Sequence, residues 1–137
     1  MTIAVTPHLN FRGSAREALE FYRDAFGGEL TIISYADMGN TDPQTADHVV
    51  WGQVSAPDGF RVMAYDVPAG RPWSPGEAPF FVSVRGDDVE EVRGYWDALV
   101  DGATVVAPLA SSGWAPLYGM LTDRFGVTWV LDVAASR

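Results

Sequence analysis

Two stretches of this chain, RGSAREALEFYRDAFGGELTII (Arg12–Ile33) and RGDDVEEVRGYWDALVDGATVV (Arg85–Val106), align without a gap at an offset of 73 residues. Arg12/Arg85, Gly13/Gly86, Glu17/Glu90, Tyr22/Tyr95, Asp24/Asp97, Ala25/Ala98 and Thr31/Thr104 are identical, seven matches in 22 positions. Leu19/Val92, Phe26/Leu99, Ile32/Val105 and Ile33/Val106 are conservatively paired. Agreement of this length reads as duplication of one supersecondary unit. A second stretch repeats at an offset of 67, pairing Trp51/Tyr118, Gly52/Gly119, Ser55/Thr122 and Gly59/Gly126. The six-residue difference belongs to a longer connection in the first half, and the loop Asp37 to Asp47, with Gly39, Asn40, Asp42 and Pro43, is the place for it.

Working outward from the repeat, periodicity predicts the elements. Val5–Phe11 reads as a strand. Ser14–Phe26 reads as an amphipathic helix with Ser14 as N-cap and Glu17 three residues on, a capping-box pattern. Leu19, Phe21 or Tyr22, and Phe26 form its buried stripe, and Gly27-Gly28 stop it. Strands are predicted over Glu29–Tyr35, His48–Ser55 and Phe60–Val67, the last two joined by a turn at Pro57-Asp58-Gly59. The second half repeats the order: strand Pro79–Val84, helix Asp87–Val100, then strands Thr104–Ala107, Tyr118–Thr122 and Val127–Val133. The expectation is a single α+β domain over 1–137, built from two tandem βαβββ modules at about 3–67 and about 79–134. The Pro- and Gly-rich stretch 68–78, which includes Trp73, connects them.

Composition narrows the chemistry. With 137 residues, 47% hydrophobic and 20% charged, the chain is of ordinary globular makeup. Cysteine is absent, which excludes thiol nucleophiles, disulfides and iron–sulfur ligation. All nine basic residues are arginines, so Schiff-base chemistry and pyridoxal phosphate anchoring are excluded as well. Only His8 and His48 can supply imidazole. A net charge of −9 with no arginine cluster argues against nucleic acid as a partner. No apolar run reaches the roughly 18 residues of a spanning helix, so no membrane partner is expected. The opening MTIAVTPHLNF has neither a basic start nor an apolar stretch ending in small residues, and a cytoplasmic location is expected.

Tandem units of this order resemble the vicinal oxygen chelate superfamily, which includes glyoxalase I, ring-cleaving dioxygenases and bleomycin-resistance proteins. PHLNFRGSAREALEFYRDAFGGEL, from Pro7 to Leu30, is similar to the opening of PhnB-like proteins of that superfamily. GWAPLYGMLTDRFGVTWVLDV, from Gly113 to Val133, is similar to their end. The group is also labelled as a methyltransferase, but no Gly-rich nucleotide loop follows the first strand here. The resemblance implies an open, cup-like β-barrel with helices on the convex face and a ligand or metal site on the concave one. It also implies a homodimer.

The superfamily's enzymes take one metal ligand from the first strand and one, usually Glu, from the last strand of each module. Carried over through the offsets, those positions hold His8, Met63, Phe81 and Val130, and slipping by one residue gives Pro7, Ala64, Phe80 and Leu131. Neither set makes a site of three or four N/O ligands, so no metal or other cofactor is expected. An atypical site from His8 and His48, helped by Asp47, is the alternative.

Alternation in the strands puts His8, Asn10, Met63, Tyr65, Phe81 and Val130 on the concave face, with Arg12, Arg61, Ser83, Arg85 and Thr128. Trp51, Trp73, Trp114 and Tyr118 are placed to close over it, against the plainer reading of each as core or dimer contact. The candidate ligand pocket is therefore His8, Asn10, Met63, Tyr65, Phe81, Trp114, Tyr118 and Val130. Arg12 and Arg85, equivalent by the repeat, could hold a ligand anion or form symmetric ion pairs. His8 could be a general base or a buried, satisfied histidine; no catalytic partner is identified for it. The functional expectation is metal-free binding or sequestering of a small, partly apolar, aromatic molecule. An atypical enzyme of the same fold (lyase, isomerase or dioxygenase-like) and a dimeric interaction protein without a ligand are the alternatives.

Overall fold

The helix expected after the first strand forms over Ala15–Phe26 (α1), and Ala15, Ala18, Leu19, Tyr22 and Phe26 are its buried face. These residues recur every three or four positions, the spacing that puts one stripe of a helix against a sheet. Gly27 and Gly28, both with positive φ, turn the chain out of it. The computed structural model describes residues 3–111, 113 and 115–134. Around α1 the first half folds strands β1 (His8–Phe11), β2 (Glu29–Ser34), β3 (Val49–Ser55) and β4 (Arg61–Asp66), with a short 3-10 turn, Ala36–Met38, inside the long loop. The second half gives β5 (Val82–Gly86), α2 (Val89–Leu99), β6 (Thr104–Ala110), β7 (Leu117–Thr122) and β8 (Thr128–Val133). The order βαβββ thus occurs twice, and the class is α+β. Among the described residues no helix is long and apolar enough to cross a membrane.

The chain divides into two compact units, 1–75 and 76–137. In the first, the sheet runs β1-β4-β3-β2 and β1 lies parallel to β4, while the other pairs are antiparallel. The second has the same plan, β5-β8-β7-β6, with β5 parallel to β8. In each unit the helix covers one face of its own sheet, with Val54, Val62 and Ala64 buried on the first and Leu117, Leu121, Trp129 and Leu131 on the second. The repeated pair Gly52/Gly119 now has a physical reason. A Cβ on Gly52 would run into Leu19 of α1, and one on Gly119 into Trp96 of α2. Both glycines mark where a helix side chain presses onto the sheet backbone.

The capping box does not form. Ser14 sits at the N-cap but its side chain makes no cap hydrogen bond. A carboxylate arrives instead from the end of β4: Asp66 Oδ1 accepts from Gly13 N (2.6 Å) and Ala15 N (3.1 Å), and Oδ2 accepts from Val49 N (2.9 Å). In the second unit the cap is local, with Asp88 accepting from Glu90 N. Replacing Asp88 by Ala is therefore expected to cost about 1 kcal/mol. Ser14→Ala should cost less than about 0.5 kcal/mol. Urea denaturation of the two variants checks the order, and an equal loss would contradict it.

The Asp123-Arg124-Phe125-Gly126 turn between β7 and β8 is held by one carboxylate. Asp123 Oδ1 accepts from Phe125 N and Val127 N, and its Oδ2 accepts from the Trp129 indole at 2.9 Å.

Candidate functional site

Strand pairing decides which side chains share the face left open by each helix. In the first unit His8 lies opposite Met63 and Asn10 opposite Tyr65, while Leu9 and Phe11 pair with Ala64 and Asp66 on the helix side. The alternation read from the sequence thus brings His8, Asn10, Met63 and Tyr65 to one face. The ladder continues across β3 and β2, with Gln53 opposite Met63 and Thr31 opposite Gln53. Ile33 faces Trp51, which precedes the Gly52/Ala64 pair and so falls in the row of Tyr65. Gln53 was not singled out from the sequence, although its place between the inward Gly52 and Val54 is the signal that exposes it.

His8 is exposed, not buried. Its Nδ1 hydrogen-bonds Asn10 Oδ1 at 2.9 Å, and its ring meets Tyr65 edge-on with centroids 5.3 Å apart. Next to Tyr65 in sequence, the Asp66 backbone carbonyl accepts from the Tyr35 hydroxyl at 2.9 Å. Burial, then the nearby Tyr65 and Asp66, holds that hydroxyl above the usual tyrosine range.

Arg12 is not the mate of Arg85. It follows β1, donates to the carbonyls of Val67, Pro68 and Arg71, and lies 5.8 Å over the Trp73 ring. Trp73 Nε1 in turn donates to the Asn10 carbonyl at 3.0 Å. Arg85 lies inside β5 and forks onto Asp132, with Nε to Oδ1 at 3.1 Å and Nη2 to Oδ2 at 2.8 Å. Those hydrogen bonds, and then the Asp132 charge, keep the Arg85 guanidinium above its ordinary value. The symmetric ion pairs are therefore replaced by one ion pair and one backbone clamp. The reason is that the repeated Arg-Gly letters fall two residues apart relative to the ends of their strands.

The open face of the second sheet carries Tyr118 opposite Asp132, itself opposite Arg85, and Met120 opposite Val130, itself opposite Ser83. Pairing thus makes Ser83, not Phe81, the counterpart of His8, because Ser83 meets Val130 as His8 meets Met63. Phe81 precedes β5 and is 46% exposed. Trp114 lies outside the described residues.

The donor set can be tested for a metal within each unit. His8 and Met63 stand at the corresponding positions of the first, Ser83 and Val130 at those of the second. One imidazole with a thioether, and a hydroxyl with an alkyl group, do not fit an N/O-ligated divalent ion. Nor do His8, His48 and Asp47 gather: among the described residues no three His, Asp or Glu side chains form such a group. The His48 ring instead lies beside Gly13, and the Asp47 backbone carbonyl accepts from Arg16.

Comparison with known proteins agrees with this architecture. Protein YjdN of Escherichia coli (strain K12) is 26% identical over 143 residues, covering 97% of each chain. The crystal structure of protein PA1353 from Pseudomonas aeruginosa superposes with a TM-score of 0.87 at 29% identity, over 98% of this chain and all of that one. A structure from Bacillus cereus described as a putative 3-demethylubiquinone-9 3-methyltransferase, PhnB protein, gives a TM-score of 0.72 at 23% identity, over 96% of this chain and 100% of that one. At that identity the likeness is one of fold. The model of the Glyoxalase/Bleomycin resistance protein/Dioxygenase superfamily matches residues 7–131, and with the βαβββ order present twice, the chain belongs to that superfamily.

Proposed function

We propose that this protein binds or sequesters a small, partly apolar, aromatic molecule, without a metal, on the faces its helices leave open. The observation that carries the reading is the grouping of His8 and Asn10 with Tyr65 and Met63 on one sheet face, polar atoms set directly beside an aromatic and a thioether wall. Apolar walls with a few convergent polar groups are the usual makeup of a small-molecule site. In the second unit, Tyr118 and Val130 offer a comparable wall beside the Arg85–Asp132 pair. The protein is further proposed to work in the cytoplasm and as a homodimer.

Tryptophan emission followed against a panel of aromatic metabolites tests the reading. Saturable quenching is expected for at least one compound, with affinity falling about tenfold in Tyr65→Ala, a loss matching removal of one aromatic contact. Unchanged far-ultraviolet dichroism in the variant would assign the loss to binding. No saturable response from any compound, or equal affinity in Tyr65→Ala, would overturn the proposal.

A second reading, an enzyme of atypical site, is favoured by the exposure of His8, whose imidazole is open to a proton-transfer partner. Turnover of any compound in the panel that His8→Gln abolishes would move the assignment to that class.

A further inference from the structure

The hydrogen bond between His8 and Asn10 carries more than contact. Asn10 Oδ1 can only accept, so the 2.9 Å bond requires His8 Nδ1 to bear the proton. In a neutral imidazole the other nitrogen, Nε2, is then a lone-pair acceptor. The backbone that carries Asn10 is itself held. Its strand position pairs with Tyr65, and its backbone carbonyl receives the Trp73 indole N–H at 3.0 Å.

We propose that Asn10 locks His8 in the Nδ1–H tautomer, and that the Nε2 lone pair so presented selects the ligand: a flat apolar ring bearing a neutral hydrogen-bond donor, hydroxyl or N–H. The inference rests on the small-molecule reading above and names its ligand class. The ring follows from the surroundings of the acceptor, since Tyr65 stands edge-on to the imidazole and Met63 lies directly across the ladder. The neutral donor follows from the lone pair. A carboxylate would set its own lone pairs against Nε2 and meet a chain of net charge −9. A site built to receive a donor also discriminates against the same ring without one, because the acceptor is left unpaired.

Two measurements decide the matter. The first needs no ligand: long-range proton–nitrogen correlation spectra of imidazole-labelled protein, at about pH 8.5 where an ordinary imidazole is neutral. His8 is expected to give the Nδ1–H pattern, and Asn10→Ala to move it toward Nε2–H. An Nε2–H pattern in the wild type, or no change in Asn10→Ala, overturns the lock. The second compares 4-methylphenol with 4-methylanisole, the same ring with and without the donor, by titrating the His8 nitrogen shifts. Binding of the phenol about fivefold tighter is expected, the worth of one net hydrogen bond. Followed by tryptophan emission, that preference should vanish in His8→Phe, which keeps a ring and loses the lone pair. Equal affinities in the wild type overturn the selection. If neither ring binds while another compound of the aromatic panel does, the ligand class falls and the small-molecule reading stands; if nothing in the panel binds, both fall, and the tautomer result separates either failure from a failure of the lock.

Discussion

Asp66→Asn is expected to lower stability by about 3 kcal/mol and the melting temperature by about 10 °C. The side chain is 1% exposed and accepts from three backbone N–H groups on two separate segments, Gly13 just before α1 with Ala15 at its first position, and Val49 at the start of β3. An amide of the same shape must turn an N–H toward at least one of those donors. Whichever way it flips, a buried donor loses its acceptor, and the desolvation cost is borne in full. Asp132 is the natural control. Its carboxylate is nearly as buried, with the side chain 6% exposed, but its partner Arg85 is 63% exposed and water can replace it. Asp132→Asn should therefore cost about 1 kcal/mol or less. Thermal and urea denaturation of both variants would show the contrast, and a loss at Asp66 no larger than at Asp132 would refute the account of the carboxylate as a clamp.

Gly119→Ala is expected to destabilise by about 2–3 kcal/mol, the upper range of overpacking for so small a group. The added methyl would lie 2.8 Å from Trp96 Cζ3 and 2.9 Å from Leu109 Cα, a rigid ring and a backbone atom. Neither can rotate aside. The equivalent change Gly52→Ala meets chiefly the end of the Leu19 side chain, with Val49 Cγ1 at 3.3 Å as the next neighbour. A leucine terminus can change rotamer, so the cost there should be about 1 kcal/mol lower. The ranking, read from urea midpoints at unchanged slope, is the quantity at stake. A Gly119→Ala protein as stable as the wild type would mean that α2 does not press on β7 as described.

The elements were legible because each carries its own period. Ala15, Ala18, Leu19, Tyr22 and Phe26 write a helix stripe, and the alternation around Leu9 and Phe11 or Val62 and Ala64 writes half-buried strands. The first-unit face of His8, Asn10, Met63 and Tyr65 followed from the same alternation. What the letters concealed was register between distant strands. Phe81 and Ser83 have the same parity along the chain, so only the pairing of β5 with β8 could say which meets Val130. The Arg12/Arg85 identity misled for a related reason: three residues separate β1 from α1 and two separate β5 from α2, and local similarity is blind to where a strand stops. Asp66 was hidden because its donors lie 17 to 53 residues away in sequence. A capping box is readable because donor and acceptor are neighbours, whereas a cap delivered from another strand leaves no local pattern.

The clamp of Arg12 and Trp73 bears on how the first sheet can grow. β1 is its outer strand, and Pro7 and Phe11 turn their carbonyls inward to Met63 and Val67 on the β4 side. The carbonyls of His8 and Asn10 consequently point outward, where an incoming strand would seek them. Trp73 occupies the second of these, and Arg12 holds the returning segment by its own carbonyls. The connector thus acts as a selvedge along β1, leaving no free run of acceptors for another chain's strand to stitch onto. A strand extending this sheet past β1 would first have to displace the indole from the Asn10 carbonyl.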